Sequence, residues 1–378
     1  MTTSGTGVLV VGGGITGLAA AWSLTRWGRE VVVLDQAPIG HRGGSSHGSC
    51  RIFRLGYDDP EYVPLAQRAR ELWSGVERES GECLLHPAPQ LTFGPQMPQV
   101  LAALRQAGAA AEVLPAAEAA RRFPGVRVPD GEVLAEPESA VIAANRALAV
   151  LAGALPDGCL RTGPRVTAIA DDGRRVRVGT ADGARFEADT VIVTAGPWTA
   201  GLLATAGISI PASATMEQVV YLSPAGQVAP RALPIVIHYG GAFAYGLPVP
   251  GSDRYKIGLH HGGPAVLPDA QEHDEDATLT RRTEQAARDL LPGLDPLPVA
   301  VERCVYDNSP DTDFIVDKIG NVVIGSGTSG HGFKFGPLLG EWLASLATLD
   351  DAPRGGPAGE LPPRKFAANR FRVRMPAR

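Results

Sequence analysis

Gly12, Gly14 and Gly17 stand at the spacing G-x-G-x-x-G, between the apolar run Val8–Val11 and the helix-like stretch Leu18–Trp27. Gly12 permits a tight turn, Gly14 lets backbone approach a pyrophosphate, and Gly17 lets the helix pack closely on the strand. The helix N-terminus then offers N–H groups and the positive end of its dipole to phosphate. Asp35 follows Gly17 by 18 residues, closing a second apolar run, Val31–Leu34, where a carboxylate can accept from a ribose hydroxyl. This pattern reads as a dinucleotide site and leaves FAD and NAD both open. Farther along, Arg51 and Arg54 lie three apart in a stretch rich in Gly, Ser, His and Arg. Lys256 and His260 occupy a strand-like run in which period-two alternation puts residues 256, 258 and 260 on one face. Cys304 is an isolated thiol. Taken singly, such arginines are solvated, such a histidine is structural, and such a cysteine is a buried apolar side chain.

The elements that must position these residues follow from periodicity. Val8–Val11, Leu18–Trp27 and Val31–Leu34 make a strand–turn–helix–strand unit. Residues 36–60 lack periodicity and are expected as a long ordered, functional loop. Helices are expected over Glu61–Glu79, Pro95–Gly108, Pro115–Phe123, Ser139–Leu155, Thr278–Leu291 and Gly336–Leu349. Strands are expected around Val166, Val176–Val178, Phe186, Thr190–Thr194, Gln218–Leu222, Pro234–His238, Phe243–Gly246, Tyr255–His260, Val299–Tyr306, Phe314–Val316 and Asn321–Ser326. The Pro- and Gly-rich tail, Ala352–Pro363, is expected on the surface, and its basic end, Arg364–Arg378, as a solvated face.

The chain has 378 residues, enough for two domains. A net charge of −5 gives no reason to expect nucleic acid. No apolar run reaches the length of a membrane span. The N-terminus carries no basic leader ahead of an apolar segment, so a cytoplasmic enzyme is the expectation. Cys50, Cys83, Cys159 and Cys304 form no CxxC pair, so neither a disulfide framework nor a metal site is expected.

The blocks His47-Gly-Ser-Cys-Arg-Ile-Phe-Arg54, Glu61-Tyr-Val-Pro-Leu65, Tyr255-Lys-Ile-Gly-Leu-His260, Cys304-Val-Tyr306 and Asn321–Phe335 occur in order across nearly the whole chain. In them the sequence resembles the monomeric sarcosine oxidase / N-methyltryptophan oxidase family, most specifically at Gly330-His-Gly-Phe-Lys334. The resemblance implies an α/β (α+β) flavoprotein in which a Rossmann-type FAD-binding domain (1–83, 137–208 and 315–378) is interleaved with a mostly antiparallel-β substrate domain (84–136 and 209–314).

It also implies site roles. FAD would be held by Gly12, Gly14, Ile15, Thr16, Gly17, Asp35, Gln36, Ser46, Arg51, Val166, Gly196, Trp198, Gly330, Gly332, Phe333 and Lys334. It would be tethered covalently through its 8α-methyl to Cys304, whose thiol could be assisted by Arg303 or a loop arginine. Arg54 and Lys334 would grip the substrate carboxylate. Tyr245, His260 and Tyr306 would line the substrate side, His331 would approach the flavin edge or cap its turn, and Arg51 would stand beside the ring. Lys256 would activate oxygen. Only four of the 35 basic residues are lysines (Lys256, Lys318, Lys334 and Lys365), and two fall on these roles, which points to a need for a compact ammonium instead of a guanidinium fork. Cys50 stands where the family commonly has threonine, and Ser49 where it has an acid.

The implied reaction takes a hydride equivalent from a carbon beside the nitrogen of a small N-methyl or cyclic secondary amino acid, giving an imine, and passes the electrons to O2 to give hydrogen peroxide. A flavin dehydrogenase, an imino-acid oxidase acting on a peptide natural-product intermediate, a nicotinamide-linked enzyme and a non-enzymatic nucleotide binder are the alternatives. A monomer without nucleic-acid or membrane partners is expected.

Overall fold

The computed structural model describes residues 6–128, 131–226, 229, 232–269, 274–349 and 359–371. Its first large sheet has the order Val166–Asp171, Val176–Thr180, Arg185–Val193, Thr6–Val11, Val31–Asp35, Leu160–Thr162. Val322–Ser326 also joins Arg185–Val193, and Ile315–Ile319 pairs with Val322–Ser326. The central pairings are parallel, with Val10 between Ile192 and Val33. Parallel strands are covered on both faces, which is why they are unbroken apolar runs. One cover is the helix Ile15–Arg26, laid against Gly336–Ala347. Gly17 makes its close seat on the strand possible, since a Cβ there would come 1.9 Å from the Gly12 carbonyl oxygen.

The second sheet runs Ala300–Asn308, Ser213–Leu222, Tyr255–Leu259, Ala244–Pro248, Ile235–His238, Gln90–Phe93, Glu132–Glu136, Glu112–Pro115. It is antiparallel except where Ile235–His238 runs parallel to Gln90–Phe93. Cys50–Phe53, Ala140–Ala143 and Leu85–Pro87 make a third, small sheet. Sequences on either side of each connection therefore cross between layers, and the Cys50–Phe53 and Ala300–Asn308 strands bring distant residues to a common cleft.

Three expectations need correction. Residues 36–60 are not wholly loop, because Cys50–Phe53 pairs antiparallel with Ala140–Ala143. The helix expected from Ser139 begins at Ala144; Ala140–Ala143, with its β-branched Val141 and Ile142, is the partner strand. The basic tail is not a solvated face over its described part. Phe366 is fully buried against Tyr62, Phe314 and Trp342, and Lys365 pairs with Asp59, Glu61 and Asp313. Residues 350–358 and 372–378 of that tail lie outside the described residues. Short strands at Leu85–Pro87, Gln90–Phe93, Glu112–Pro115, Glu132–Glu136 and Leu160–Thr162 carry too few residues to show a period.

Among the described residues no helix is long and apolar enough to cross a membrane, and no cluster of His, Cys, Asp or Glu could hold a metal ion.

Candidate active site

A cavity of about 770 Å³ is walled by residues of both large sheets. That volume lies within the ~300–1,000 Å³ usual for ligand and cofactor sites. At its nucleotide wall stand Gly12, Gly14, Ile15, Thr16, Asp35, Gln36, Ser46, Val166, Gly196 and Trp198. Elsewhere it is lined by Arg51, Arg54, Tyr245, Lys256, His260, Cys304, Tyr306, Gly330, His331, Gly332, Phe333 and Lys334. Gly17 alone among the expected residues is absent from the wall; it sits behind the turn and lets the helix approach.

The nucleotide wall fits a dinucleotide. Gly14 has no side chain to cap the helix, so its N-terminus opens onto the cavity, where Ser46 Oγ accepts from the Ile15 N–H at 3.1 Å. Asp35 accepts from the Gly13 N–H at 2.7 Å and from the Ala37 N–H at 2.9 Å. Oδ2 retains a second acceptor site, Oδ1 also faces His41 Nε2 at 3.4 Å, and Asp35 lines the cavity.

Two cation clusters lie on the remaining wall. In one, Arg54 and Lys334, both buried, converge on Tyr57. The Lys334 ammonium donates to Tyr57 Oη at 2.9 Å and to the His331 carbonyl at 3.0 Å. The Arg54 guanidinium lies 4.5 Å from the Tyr57 ring centroid and donates to Tyr239 Oη at 3.0 Å and to the Gly56 carbonyl. Burial, and then Arg54, press the Lys334 ammonium well below the ordinary lysine range. Glu136 lies behind Arg54, its carboxylate accepting from the Gly56 N–H, Gln90 and Thr92.

His331 reports its own tautomer. Its Nε2 is 3.0 Å from the Thr312 carbonyl, which can only accept, while Nδ1 is 3.2 Å from Tyr57 Oη. Burial and Lys334 push this imidazole down to about 3. A neutral ring therefore donates from Nε2 and accepts the Tyr57 hydroxyl proton at Nδ1.

The other cluster surrounds Cys304, whose side chain is partly open on the cavity wall. Burial raises the thiol, against the pull of Arg51 and Lys256. Arg303, a candidate helper from sequence, instead donates to the Asp274 carbonyl. Arg51 is held by the Cys50 and Ser45 carbonyls at 2.9 and 2.8 Å. Lys256 Nζ donates to the same Cys50 carbonyl at 3.3 Å. Cys50 thus contributes its backbone to both cations, while its side chain is fully buried. Ser49 Oγ lies 3.1 Å from Tyr221 Oη.

His260 is driven well below the usual histidine range, by burial first and then His261. Its ring meets Phe243 edge-on at 4.9 Å. Burial pushes the Tyr245 and Tyr306 phenols up, so both are protonated at neutral pH. Gly330, at φ +76°, leaves room for the Tyr306 ring, which a Cβ would approach to 2.0 Å. Tyr57, Tyr239, Phe243 and Glu302 were missed from sequence. Glu302 had a readable signal, since it lies two residues before Cys304 on one strand and shares its face. Tyr239 had none.

Residues 7–346 match the family described as FAD dependent oxidoreductase. The chain is 34% identical over 365 residues to the peroxisomal sarcosine oxidase of Homo sapiens, spanning 90% of this chain and 91% of that protein. It is 32% identical over 371 residues to the N-methyl-L-tryptophan oxidase of Yersinia pestis (strain Pestoides F), spanning 92% and 96%. Among solved structures it is similar to NikD, described as an unusual amino acid oxidase essential for nikkomycin biosynthesis, with a TM-score of 0.80, 26% identity, and coverage of 95% of this chain and 99% of that one.

Proposed function

Because this chain belongs to the FAD dependent oxidoreductase family, together with sarcosine oxidase and N-methyl-L-tryptophan oxidase, we propose that it is an oxidase of a small N-methyl or cyclic secondary amino acid. The observation that carries the reading is that Arg54 and Lys334, which meet on Tyr57, both line the cavity that holds the dinucleotide turn.

FAD, when bound, supplies a two-electron acceptor that takes the substrate amine to an imine and passes the electrons to O2, giving hydrogen peroxide. The protein supplies orientation and charge. Arg54 and Lys334 hold the substrate carboxylate through charge-assisted hydrogen bonds of about 1.5–3 kcal/mol each, which select amino acids over plain amines. The same two charges favour the neutral form of the bound amine, whose lone pair assists the loss of a hydride equivalent. Neutral His260 and protonated Tyr245 and Tyr306 line the substrate side without adding charge. Lys256, in the separate cluster with Arg51, offers a cation to the negative charge that dioxygen acquires.

Further parts of the reading are a thioether between Cys304 and the 8α-methyl, FAD held by the segments 1–83, 137–208 and 315–378, a monomer, and a cytoplasmic location. Similarity to NikD supports a second reading, an imino-acid oxidase acting on a peptide natural-product intermediate.

Anaerobic mixing of the purified holoenzyme with a panel of N-methyl, cyclic and decarboxylated amines tests the proposal. Bleaching of the flavin by carboxylated secondary amines, followed by peroxide on admitting air, is expected. Bleaching only by amines without a carboxylate, or turnover without peroxide, would overturn it. Yellow fluorescence retained in a denaturing gel, and lost in Cys304→Ser, tests the tether.

A further inference from the structure

Lys256 is placed where an ammonium is hard to keep. It is 4% exposed, its hydrogen-bond partner is the neutral Cys50 carbonyl, and Arg51 shares that carbonyl. Burial and a like charge both favour loss of the proton. Around it, the Cys50–Phe53 strand contributes Cys50 and Arg51, the Ser213–Leu222 strand Tyr221, the Ala300–Asn308 strand Glu302 and Cys304, and the preceding loop His47. Glu302 is the carboxylate whose field favours this ammonium, from beyond ion-pair distance and with Tyr221 between them.

The geometry around Glu302 is built. The Tyr221 hydroxyl donates to Glu302 Oε2 at 2.6 Å, and Ser49 Oγ lies 3.1 Å behind that hydroxyl, placed to donate into it. Tyr221 is the cross-strand neighbour of Lys256, and its ring lies 5.9 Å from the ammonium. His47 Nε2 stands 3.8 Å from the other carboxylate oxygen. Burial and Arg51 push this imidazole down to about 4, so it adds no positive charge near neutral pH. Glu302 and Cys304 both line the cavity from one strand face.

We propose that Glu302 is a positioning residue that keeps the Lys256 ammonium charged at the cavity wall, its carboxylate aimed by the Ser49–Tyr221 pair. The inference rests on the reading of Lys256 as the cation that meets dioxygen. It is tested without substrate or oxygen, so its failure is separable from failure of that reading. The influence runs both ways. Burial opposes ionisation of Glu302, but Lys256, the Tyr221 hydroxyl, His47 and Arg51 together hold its carboxyl below the ordinary range.

Holoenzyme labelled with [15Nζ]lysine carries only four side-chain signals, one for each lysine. Lys256→Met identifies the relevant one. Glu302→Gln keeps an acceptor for Tyr221 and removes the charge; the Lys256 titration midpoint is expected to fall by about one pH unit. Tyr221→Phe leaves the charge but not its aim, and a smaller downward shift is expected. A Lys256 midpoint unmoved in Glu302→Gln overturns the proposal. If that variant does not fold, Tyr221→Phe decides by the same midpoint.

Discussion

As the proposed grips on the substrate carboxylate, Arg54 and Lys334 are not equivalent, although both face Tyr57. A guanidinium stays charged at any working pH, whereas the Lys334 ammonium, pressed well below the ordinary lysine range by burial and Arg54, can lose its charge. Binding of a carboxylate lacking the amine should therefore be tight at low pH and weaken as pH rises through the Lys334 midpoint, below that of a free lysine. Titration of the flavin absorbance with such an acid checks this, and Lys334→Arg should flatten the profile. Arg54→Met should raise KM for the amino acid roughly 10- to 100-fold, the equivalent of about 1.5–3 kcal/mol, with a smaller change in kcat. An unchanged KM in steady-state kinetics would remove Arg54 from the carboxylate site. Both residues stood out in sequence, in the His47–Arg54 and Gly330–Lys334 blocks. Tyr57, which brings them together, did not, because its hydroxyl finds Lys334 across 277 residues of chain.

At the scale of elements, Asp307 ties the end of the Cys304 strand to the loop that carries Lys334. Its carboxylate accepts from Ser326 Oγ and from the Gly327 N–H at 2.8 Å, and its carbonyl from the Ser329 N–H at 2.7 Å. Burial lifts this carboxyl to about 7, well above its unfolded value. Between those two values the folded chain holds a proton that the unfolded chain has released. Stability from this group is thus gained as pH falls below about 7 and is lost above it. Thermal melts at about pH 8 and pH 6 should show a wild-type rise in Tm that Asp307→Asn lacks. Asp307→Ala, which strands the Ser326 hydroxyl and the Gly327 N–H, should cost about 1–3 kcal/mol and raise KM through the loosened loop. Strand Ala300–Asn308 and the glycine-rich loop were each readable from sequence; the bond between them was not.

Across the whole molecule the cleft is bridged at its nucleotide end. Asp269, which follows the second-sheet bridge Thr215–Ala265, accepts from Arg165 at 2.6 Å and from Trp198 Nε1 at 2.8 Å. All three line the cavity, so this contact closes over the wall proposed to hold FAD. Arg165 and Asp269 are about half exposed, which limits the contact to the small energies of surface pairs. In a Cys304→Ser background, Asp269→Asn should speed FAD release by no more than about fivefold, measured as flavin fluorescence on dilution. An unchanged rate would leave the bridge without a part in retention.

The strand–turn–helix–strand unit and the Gly330–Lys334 block were determined by the sequence itself, since apolar runs, glycine spacing and a terminal acid act over a few residues. So was the presence of Arg54, Lys256 and Lys334 in short blocks of recognisable order. Only the tertiary structure decided that Cys50–Phe53 is a strand, because its partner lies some 90 residues away and four residues carry no period of their own. The tail was decided in the same way, by the rings that receive Phe366. Charge states in the cavity belong to this class too. Whether Lys334 keeps its proton, or Glu302 receives the Tyr221 hydroxyl, depends on burial and on neighbours brought in by the folding of both sheets, and no local pattern encodes either.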